Sequence, residues 1–581
     1  MVNNIQPEPA GDLSALHKNE SIKDASRYLR GTILDGLADV STGALAADDT
    51  QLTKFHGIYQ QDDRDVRKDR RKHKLEPAYS FMIRVRVPGG VCTPQQWLEM
   101  DAIATTFANQ TIKLTTRQAF QFHGVIKTNL KRTVQEINAA LLDTIAACGD
   151  VNRNVMCNPN PYQSDVHAEA LAAAHALSDR LTPATRAYHD IWLTDAQGEK
   201  VKVTEDAEPD QEPIYGKHYL PRKFKIVVAV PPSNDVDIYA HDLGFIAIVR
   251  DGRIAGYNIT VGGGMGMTHG NKDTYPVLAQ VLGYCPADKA VDVAEKVVTV
   301  QRDYGDRKNR SHARLKYTID DHGLDWFRDE VEKRLGYSLG EALPFDFDHN
   351  GDRYGWIEDH KNRFHLTLFV QNGRVKDTGE MRMLTGLRAI AKIHKGDFRL
   401  TANQNLIVSN VSKAKRAAIE KLLVEHGMED TYERSGLRLN SLACVALPTC
   451  GLSLAESERY LPDLITELES VMEEAGLADD AITIRMTGCP NGCARPYISE
   501  IAFVGRAPGK YNVYLGGGFV GDRLNKLYKE SVLAEDIKGL LAPVIHDYAK
   551  TREPAEKFGD FVIRKAYVAA TTHGRDFHAN L

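Results

Sequence analysis

"TIKLTTRQAFQFHGV" (residues 111–125) and "DFRLTANQNLIVSNV" (residues 397–411) are two versions of one segment. Lys113 falls on Arg399, Leu114 on Leu400, Thr115 on Thr401 and Gln118 on Gln404. Ahead of each lies an alternating run, "SFMIRVRVPGG" (80–90) and "RFHLTLFVQNG" (363–373), with the period of a strand that has one buried face. A second repeat follows each copy. "FIAIVRDGRIAGYNITVGGGMG" (245–266) matches "IAFVGRAPGKYNVYLGGGFVG" (501–521), placing Tyr257-Asn258 on Tyr511-Asn512 and Gly262 on Gly516. Such internal similarity means duplicated units, here in the order A, B, A′, B′. They are expected over residues 76–155, 156–345, 346–430 and 431–581, behind an N-terminal arm over residues 1–75 that could dock a partner.

Each A piece reads as strand, helix, strand, which is too small to bury both faces alone. The two A pieces are therefore expected to complete one shared sheet domain. Each B piece mixes longer helices with strands. The expected class is α+β with a pseudo-twofold axis and a cavity where the halves meet, a place that binding sites favour. The arm ends in "DDRDVRKDRRKHK" (62–74), whose mixed signs suit a solvated helix face.

A chain of 581 residues needs several cores. Its net charge of -5, without a basic domain interleaved with aromatics, argues against nucleic acid and membrane surfaces as partners. No apolar run is long enough to span a bilayer, and the first thirty residues lack a signal-peptide pattern. A cytoplasmic protein with reduced thiols is expected.

Of eight cysteines, Cys92, Cys148, Cys157 and Cys285 are scattered and read as small core residues. Cys444 with Cys450, and Cys489 with Cys493, are two close pairs in B′. B has no counterpart: against "TIRMTGCPNGC" (483–493) it sets "RKFKIVVAVPP" (222–232). Between the pairs, Tyr460, Leu461, Leu464, Ile465, Leu468, Val471 and Met472 define an amphipathic helix stopping at Gly476. Zinc knuckles favour two to four intervening residues, whereas five separate Cys444 from Cys450. An iron–sulfur cluster accepts wider spacing, and Pro490 after Cys489 resembles the Cys-Pro step of ferredoxin-type ligation. Spacing alone leaves both metals open, and with zinc it leaves open a zinc-stabilised protein that holds a polyanion.

Cations recur in the same apolar, strand-like segments. Arg84 and Arg86 share a strand face, as do Lys223 and Lys225 beside Arg222. Lys113 and Arg117 flank the first T-x-x-Q segment, and "VNRNVMCNPNP" (151–161) supplies Arg153. Charge in a buried sheet needs counter-charge, so an anionic ligand is expected in the cavity.

"TCGLSLAESERYLP" (449–462), "RMTGCPNGCARP" (485–496) and the duplicated T-x-x-Q segments resemble the sulfite and nitrite reductase haemoprotein family, from about residue 27 onward. The resemblance implies that family's fold, a shared ferredoxin-like domain with two mixed α/β domains around a central cofactor cavity. It also implies sirohaem joined to a 4Fe-4S cluster. Carried over, Cys444, Cys450, Cys489 and Cys493 would ligate the cluster, Cys493 also serving as the axial sirohaem ligand. Arg84, Arg153, Lys223 and Lys225 would bind substrate. Lys113, Arg117 and Arg222 would meet sirohaem carboxylates, with Gln121 and Asn491 near the cofactor and His123 either lining the pocket or structural. "NRSHARLKY" (309–317) resembles a basic family segment but has Ser311 and His312 where lysine and asparagine are commoner.

The implied reaction is the six-electron reduction of sulfite to sulfide, feeding cysteine biosynthesis. Nitrite reductases of the family more often read C-P-N-S-C with glutamine two residues on, so Gly492 and Arg495 favour sulfite. No G-x-G-x-x-G follows a strand and opens a helix, so electrons must come from another protein. The resemblance points to an NADPH-oxidising flavoprotein carrying FAD and FMN. A ferredoxin-type donor, with a ferredoxin-dependent sulfite or nitrite reductase, is the alternative.

Overall fold

Four five-stranded sheets carry the molecule, two for each repeat. The computed structural model describes residues 13–185, 192–194, 200–202 and 212–579; the first twelve residues of the expected arm, and parts of B between residues 186 and 211, lie outside the described residues.

The two A pieces make a pair of sheets rather than one. The first runs Ile58–Asp62, Tyr79–Val85, Phe120–Val125, Ile112–Leu114, then Arg374–Val375. The second runs Gly355–Glu358, Phe364–Leu368, Leu406–Val411, Asp397–Leu400, then Val91–Cys92. Each sheet thus ends in a two-residue strand borrowed from the other half, with Arg374 opposite Lys113 and Val91 opposite Arg399. Helices Pro94–Phe107 and Met383–Ile393 add Trp97, Met100, Leu387 and Ile390 to a single core under both sheets, so the sharing expected of a domain is achieved in the core. The crossing strands pass close to their hosts. A Cβ on Gly90 would lie 2.5 Å from the Leu400 carbonyl, and one on Gly373 would lie 2.3 Å from the Leu114 carbonyl. Both residues hold positive φ, +74° and +71°, where glycine carries no steric penalty.

The T-x-x-Q segments are tight turns built alike. Thr115 N–H bonds the Ala119 carbonyl and Thr401 N–H the Asn405 carbonyl, at 3.1 and 3.0 Å. Gln118 and Gln404 both take left-handed backbone. Each glutamine side chain then reaches into the following B unit. Gln118 Nε2 donates to the Cys157 carbonyl at 2.8 Å and Gln404 Nε2 to the Ala443 carbonyl at 2.9 Å.

The B sheets repeat one topology. Met156–Cys157, Ile226–Ala229, Leu243–Arg250, Arg253–Val261 and Gln280–Pro286 pair parallel, parallel, antiparallel, antiparallel. Ser441–Ala443, Ile484–Thr487, Ile501–Ala507, Lys510–Leu515 and Lys526–Leu533 do the same. The helix between the cysteine pairs spans Leu461–Glu474 and buries Leu461, Leu464, Ile465, Leu468, Val471 and Met472. Gly476 follows at φ +71°, the left-handed residue that ends a helix.

The stretch expected as a separate arm is packed against the body. Leu29, Leu52 and Phe55 join the core of B, and Ile58–Asp62 is the edge strand of the first sheet, paired with Tyr79–Val85. Apolar residues spaced too irregularly to show a period carry this packing. The charged run does form an exposed helix, Arg67–Lys72, with no buried residue. Among the described residues no helix is long and apolar enough to cross a membrane.

Candidate functional site

Parallel pairing gathers the cysteines. Ser441–Ala443 and Ile484–Thr487 are neighbours in register, Ala443 opposite Met486, so both run out at one sheet edge, directly into Cys444 and into Gly488-Cys489. Gly488 N–H points at Cys444 Sγ, 3.3 Å away. The loop carrying Cys450 folds back so that Leu454 N–H bonds the Gly488 carbonyl at 2.7 Å. Asn491 Nδ2 lies 3.5 Å from Cys489 Sγ. Cys489 is buried, Cys444 and Cys450 are half-buried, and Cys493 is exposed.

The thiols act on one another. Burial, then Cys493, Cys489 and Cys450, push the Cys444 thiol well up. Burial, then Cys493 and Cys450, raise Cys489 to about 12, and burial with Cys493 raises Cys450. Four thiolates placed together this way require cations among them. No three Cys, His, Asp or Glu side chains among the described residues are grouped for a single metal ion; four cysteines are the ligand set that an iron–sulfur cluster takes.

A cluster of cations gathers around Lys223 and Lys225. Lys223 and Lys225 precede Ile226–Ala229, the counterpart of the strand that leads into Cys489. Phe224 N–H bonds the Val151 carbonyl at 3.1 Å and Arg153 N–H the Phe224 carbonyl at 3.0 Å, bringing Arg153 alongside. Arg84 reaches in from Tyr79–Val85, its Nε and Nη2 held by Gln121 Oε1 at 3.1 and 2.7 Å and its Nη1 by Cys148 Sγ at 3.2 Å. Arg153 Nη2 donates to the Gly149 carbonyl at 3.2 Å, and its guanidinium also meets the Tyr59 hydroxyl. Among the described residues none of Arg84, Arg153, Lys223 and Lys225 forms an ion pair, and Arg222 has none either. The unneutralised charge shows in the lysines. Burial, then Arg314, Arg222 and Arg153, bring Lys223 down to about 7. Burial, then Lys223, Arg117 and Arg314, push Lys225 well down. The opposing influence on Lys223 is Cys493.

The remaining expected residues divide. Arg117 is buried; its Nη2 donates to the Asn154 carbonyl and, at 3.1 Å, to that of Ile226, while its Nε has no partner. Burial, then Arg495, lower it to about 9. Gln121 Nε2 donates to His123 Nε2 at 2.7 Å, which assigns the His123 proton to Nδ1, a buried atom without a partner. Burial, then Arg374, keep that imidazole neutral. Arg222 is lowered to about 10 by burial, then Arg310. Two orphaned donors and, among the described residues, five cations without an ion pair fit a polyanionic ligand.

Lys113 departs from expectation. Its Nζ donates to the Asn372 carbonyl and pairs with Glu458 at 2.8 Å, and Arg374 takes the same carboxylate at 2.7 Å. Its charge is therefore neutralised within the protein, beside Cys444, and it is not a free partner for a ligand carboxylate. The carboxylate responsible lies 345 residues away. In the basic segment, Arg310 pairs with Asp150 at 2.8 Å and Arg314 with Asp242 at 2.8 Å. Lys316 Nζ is caged by the Gly264, Gly266 and Tyr275 carbonyls. Asp150, Asp242 and Cys148 carry no motif that would have announced them. A cleft of about 320 Å³ lies between Met267–Lys272 and the second half, touching the cysteine turn at Pro490, and none of the candidate cations lines it.

Comparison with known proteins follows this geometry. Residues 73–140 and 357–426 match the nitrite/sulfite reductase ferredoxin-like half domain, and residues 172–339 match the nitrite and sulphite reductase 4Fe-4S domain. The latter match falls on the copy without the cysteine pairs. The chain is 60% identical over 564 residues to the sulfite reductase (NADPH) hemoprotein beta-component of Staphylococcus saprophyticus, covering 97% of this chain and 98% of that one. It is 60% identical to the protein of that name in Geobacillus thermodenitrificans, over 96% of this chain and 97% of the relative. The solved structure of the Mycobacterium tuberculosis NirA protein superposes with a TM-score of 0.76 at 26% identity, covering 94% of this chain and 96% of that one.

Proposed function

Since the chain belongs to the nitrite and sulphite reductase family, among the sulfite reductase hemoprotein beta-components, we propose how its own residues serve the reduction of sulfite to sulfide. It is the haemoprotein component of an assimilatory sulfite reductase, with sirohaem and a 4Fe-4S cluster as cofactors. A beta-component works with a partner subunit; we assign that role to an NADPH-oxidising flavoprotein and place the complex in the cytoplasm.

The observation that supports the residue assignment is the set of cations around Lys223 that, among the described residues, have no ion pair, with Cys493 acting on the same lysine. Cys444, Cys450, Cys489 and Cys493 would hold the cluster, and Cys493 would also help to hold the sirohaem. Arg117 Nε, His123 Nδ1 and Arg222, with Gln121 and Asn491 alongside, would meet the macrocycle. Lys113 instead holds Glu458 and Arg374 beside Cys444. When bound, the two cofactors supply electron storage and an electron-rich iron on which sulfur is reduced.

Sulfite takes up six electrons and six protons to give sulfide and three waters. Arg84, Arg153, Lys223 and Lys225 would grip its oxygens, neutralise the dianion and weaken the S–O bonds by drawing charge toward oxygen. A lysine near neutrality is suited to giving a proton as each oxygen leaves, and Lys223 Nζ, at about 7, meets that condition. Gln121 keeps Arg84 aimed by accepting from it.

An absorption spectrum with iron and acid-labile sulfide assays tests the reading. Sirohaem bands with about five irons and four sulfides per chain are expected. A colourless chain holding one zinc would overturn it.

A further inference from the structure

Arg495, two residues past Cys493, touches all four units. Its Nη1 donates to the Thr116 carbonyl at 2.9 Å and its Nη2 to the Ala402 carbonyl at 2.8 Å. Thr116 and Ala402 occupy the same position in the two T-x-x-Q repeats, so the two arms of one guanidinium meet equivalent atoms and the side chain lies on the pseudo-twofold axis. Its Nε pairs with Asp237 of B. The same carboxylate binds Arg485 at 2.7 and 3.1 Å, and Arg485 Nη1 also donates to the Arg495 carbonyl at 3.2 Å. All three side chains are sequestered, 3% exposed for Arg495, 0% for Asp237 and 4% for Arg485.

The backbone ties this hub to the cysteine turn. Arg495 N–H closes the turn on the Gly492 carbonyl at 2.9 Å, and Thr116 Oγ1 donates to the Cys493 carbonyl at 3.0 Å. Arg495 and Asp237 both hold left-handed backbone, at φ 52° and 51°, a conformation that non-glycine residues keep only when their surroundings enforce it. Among the described residues Arg495 has no hydrogen bond or ion pair with Arg84, Arg153, Lys223 or Lys225.

We propose that Arg495 is a positioning residue: it pins the turn bearing Cys493 to both T-x-x-Q turns and so sets where Cys493 stands relative to the sulfite-binding cations. This rests on the sulfite-reductase reading. The role needs arginine's planar fork, which spans two carbonyls and a carboxylate together; a lysine presents a point charge on a flexible stem and cannot. Asp237 keeps the fork oriented and neutralised.

The test uses cofactor-loaded chain with reduced methyl viologen as electron donor, so partner docking plays no part. Arg495→Lys, Arg495→Gln and Asp237→Asn are compared with wild type by visible and electron paramagnetic resonance spectra and by sulfite kinetics. A displaced Cys493 is expected to shift the spectra and lower kcat at least tenfold, while KM for sulfite stays within twofold because the binding cations are untouched. A role in stability alone would lower the melting temperature and leave spectra and kcat of the folded protein unchanged, which overturns the proposal. A rise in KM at constant kcat overturns it as well. If Arg495→Gln does not accumulate, Arg495→Lys carries the test, since it retains a charge beside Asp237. Wild-type chain without sirohaem bands would remove the functional reading; normal wild type with wild-type-like variants removes only the inference.

Discussion

Replacing Lys223 by arginine separates charge from proton delivery in the pocket. Burial and the cations Arg314, Arg222 and Arg153 lower Lys223 from 10.5 to about 7. At about 1.4 kcal/mol per pH unit, that is a penalty of about 5 kcal/mol for holding the ammonium in the pocket without an anion. The direction follows: without a bound anion the group is charged below about 7 and neutral above it, bound anions move that midpoint up, and the charged form is the one that attracts sulfite. The fraction protonated is about fivefold lower one unit above that midpoint than at it, and kcat/KM for sulfite, which reports the free enzyme, should fall by that factor. Arginine stays charged throughout, so Lys223→Arg should lose this alkaline limb while its kcat falls for want of a proton donor. Steady-state rates with reduced methyl viologen across neutral and alkaline pH measure both effects. The ratio of variant to wild type cancels the titration of sulfite itself. An alkaline limb at the same pH in both proteins would refute the reasoning.

Glu458→Gln leaves Lys113 and Arg374 buried without their carboxylate, a loss of about 3–5 kcal/mol visible as a lower melting temperature by calorimetry. Glu458 is held down at about 2 against an ordinary 4.5. The wild-type advantage should therefore be complete above pH 4.5 and shrink as pH falls toward 2. Cys450→Ser should strip iron and labile sulfide from the chain, while Cys285→Ser, in the core of B, should retain both; equal metal contents in the two variants would contradict the ligand assignment. Gly373→Ala forces a Cβ to 2.3 Å from the Leu114 carbonyl at positive φ and should destabilise by about 1–3 kcal/mol, more than Gly379→Ala, where positive φ meets open space.

The duplication was legible because the T-x-x-Q turn needs particular side chains: the threonine hydroxyl accepts from its own turn, and the glutamine clamps the next unit. The cysteine set was legible because its spacing is local. The strand exchange left no trace, since Val91–Cys92 and Arg374–Val375 are two residues each, too short for any periodicity. The Glu458 partner of Lys113 was not legible for a related reason. A cation is visible in sequence, but the carboxylate that pairs with it arrives from a distant part of the chain, as Asp242 does for Arg314 across 72 positions. The spacing that left zinc and iron–sulfur both open gave no view of how the thiols spread in space.

The exchanged strands also govern how the molecule can open. Each half closes the other's sheet, as two clasped hands close on each other's fingers, so the halves cannot swing apart about a hinge without peeling a strand from both sheets at once. The frame holding the thiolates opposite the cations is in this sense a locked buckle. A macrocycle of tetrapyrrole size must then be received before the buckle fastens, or past loops at its rim.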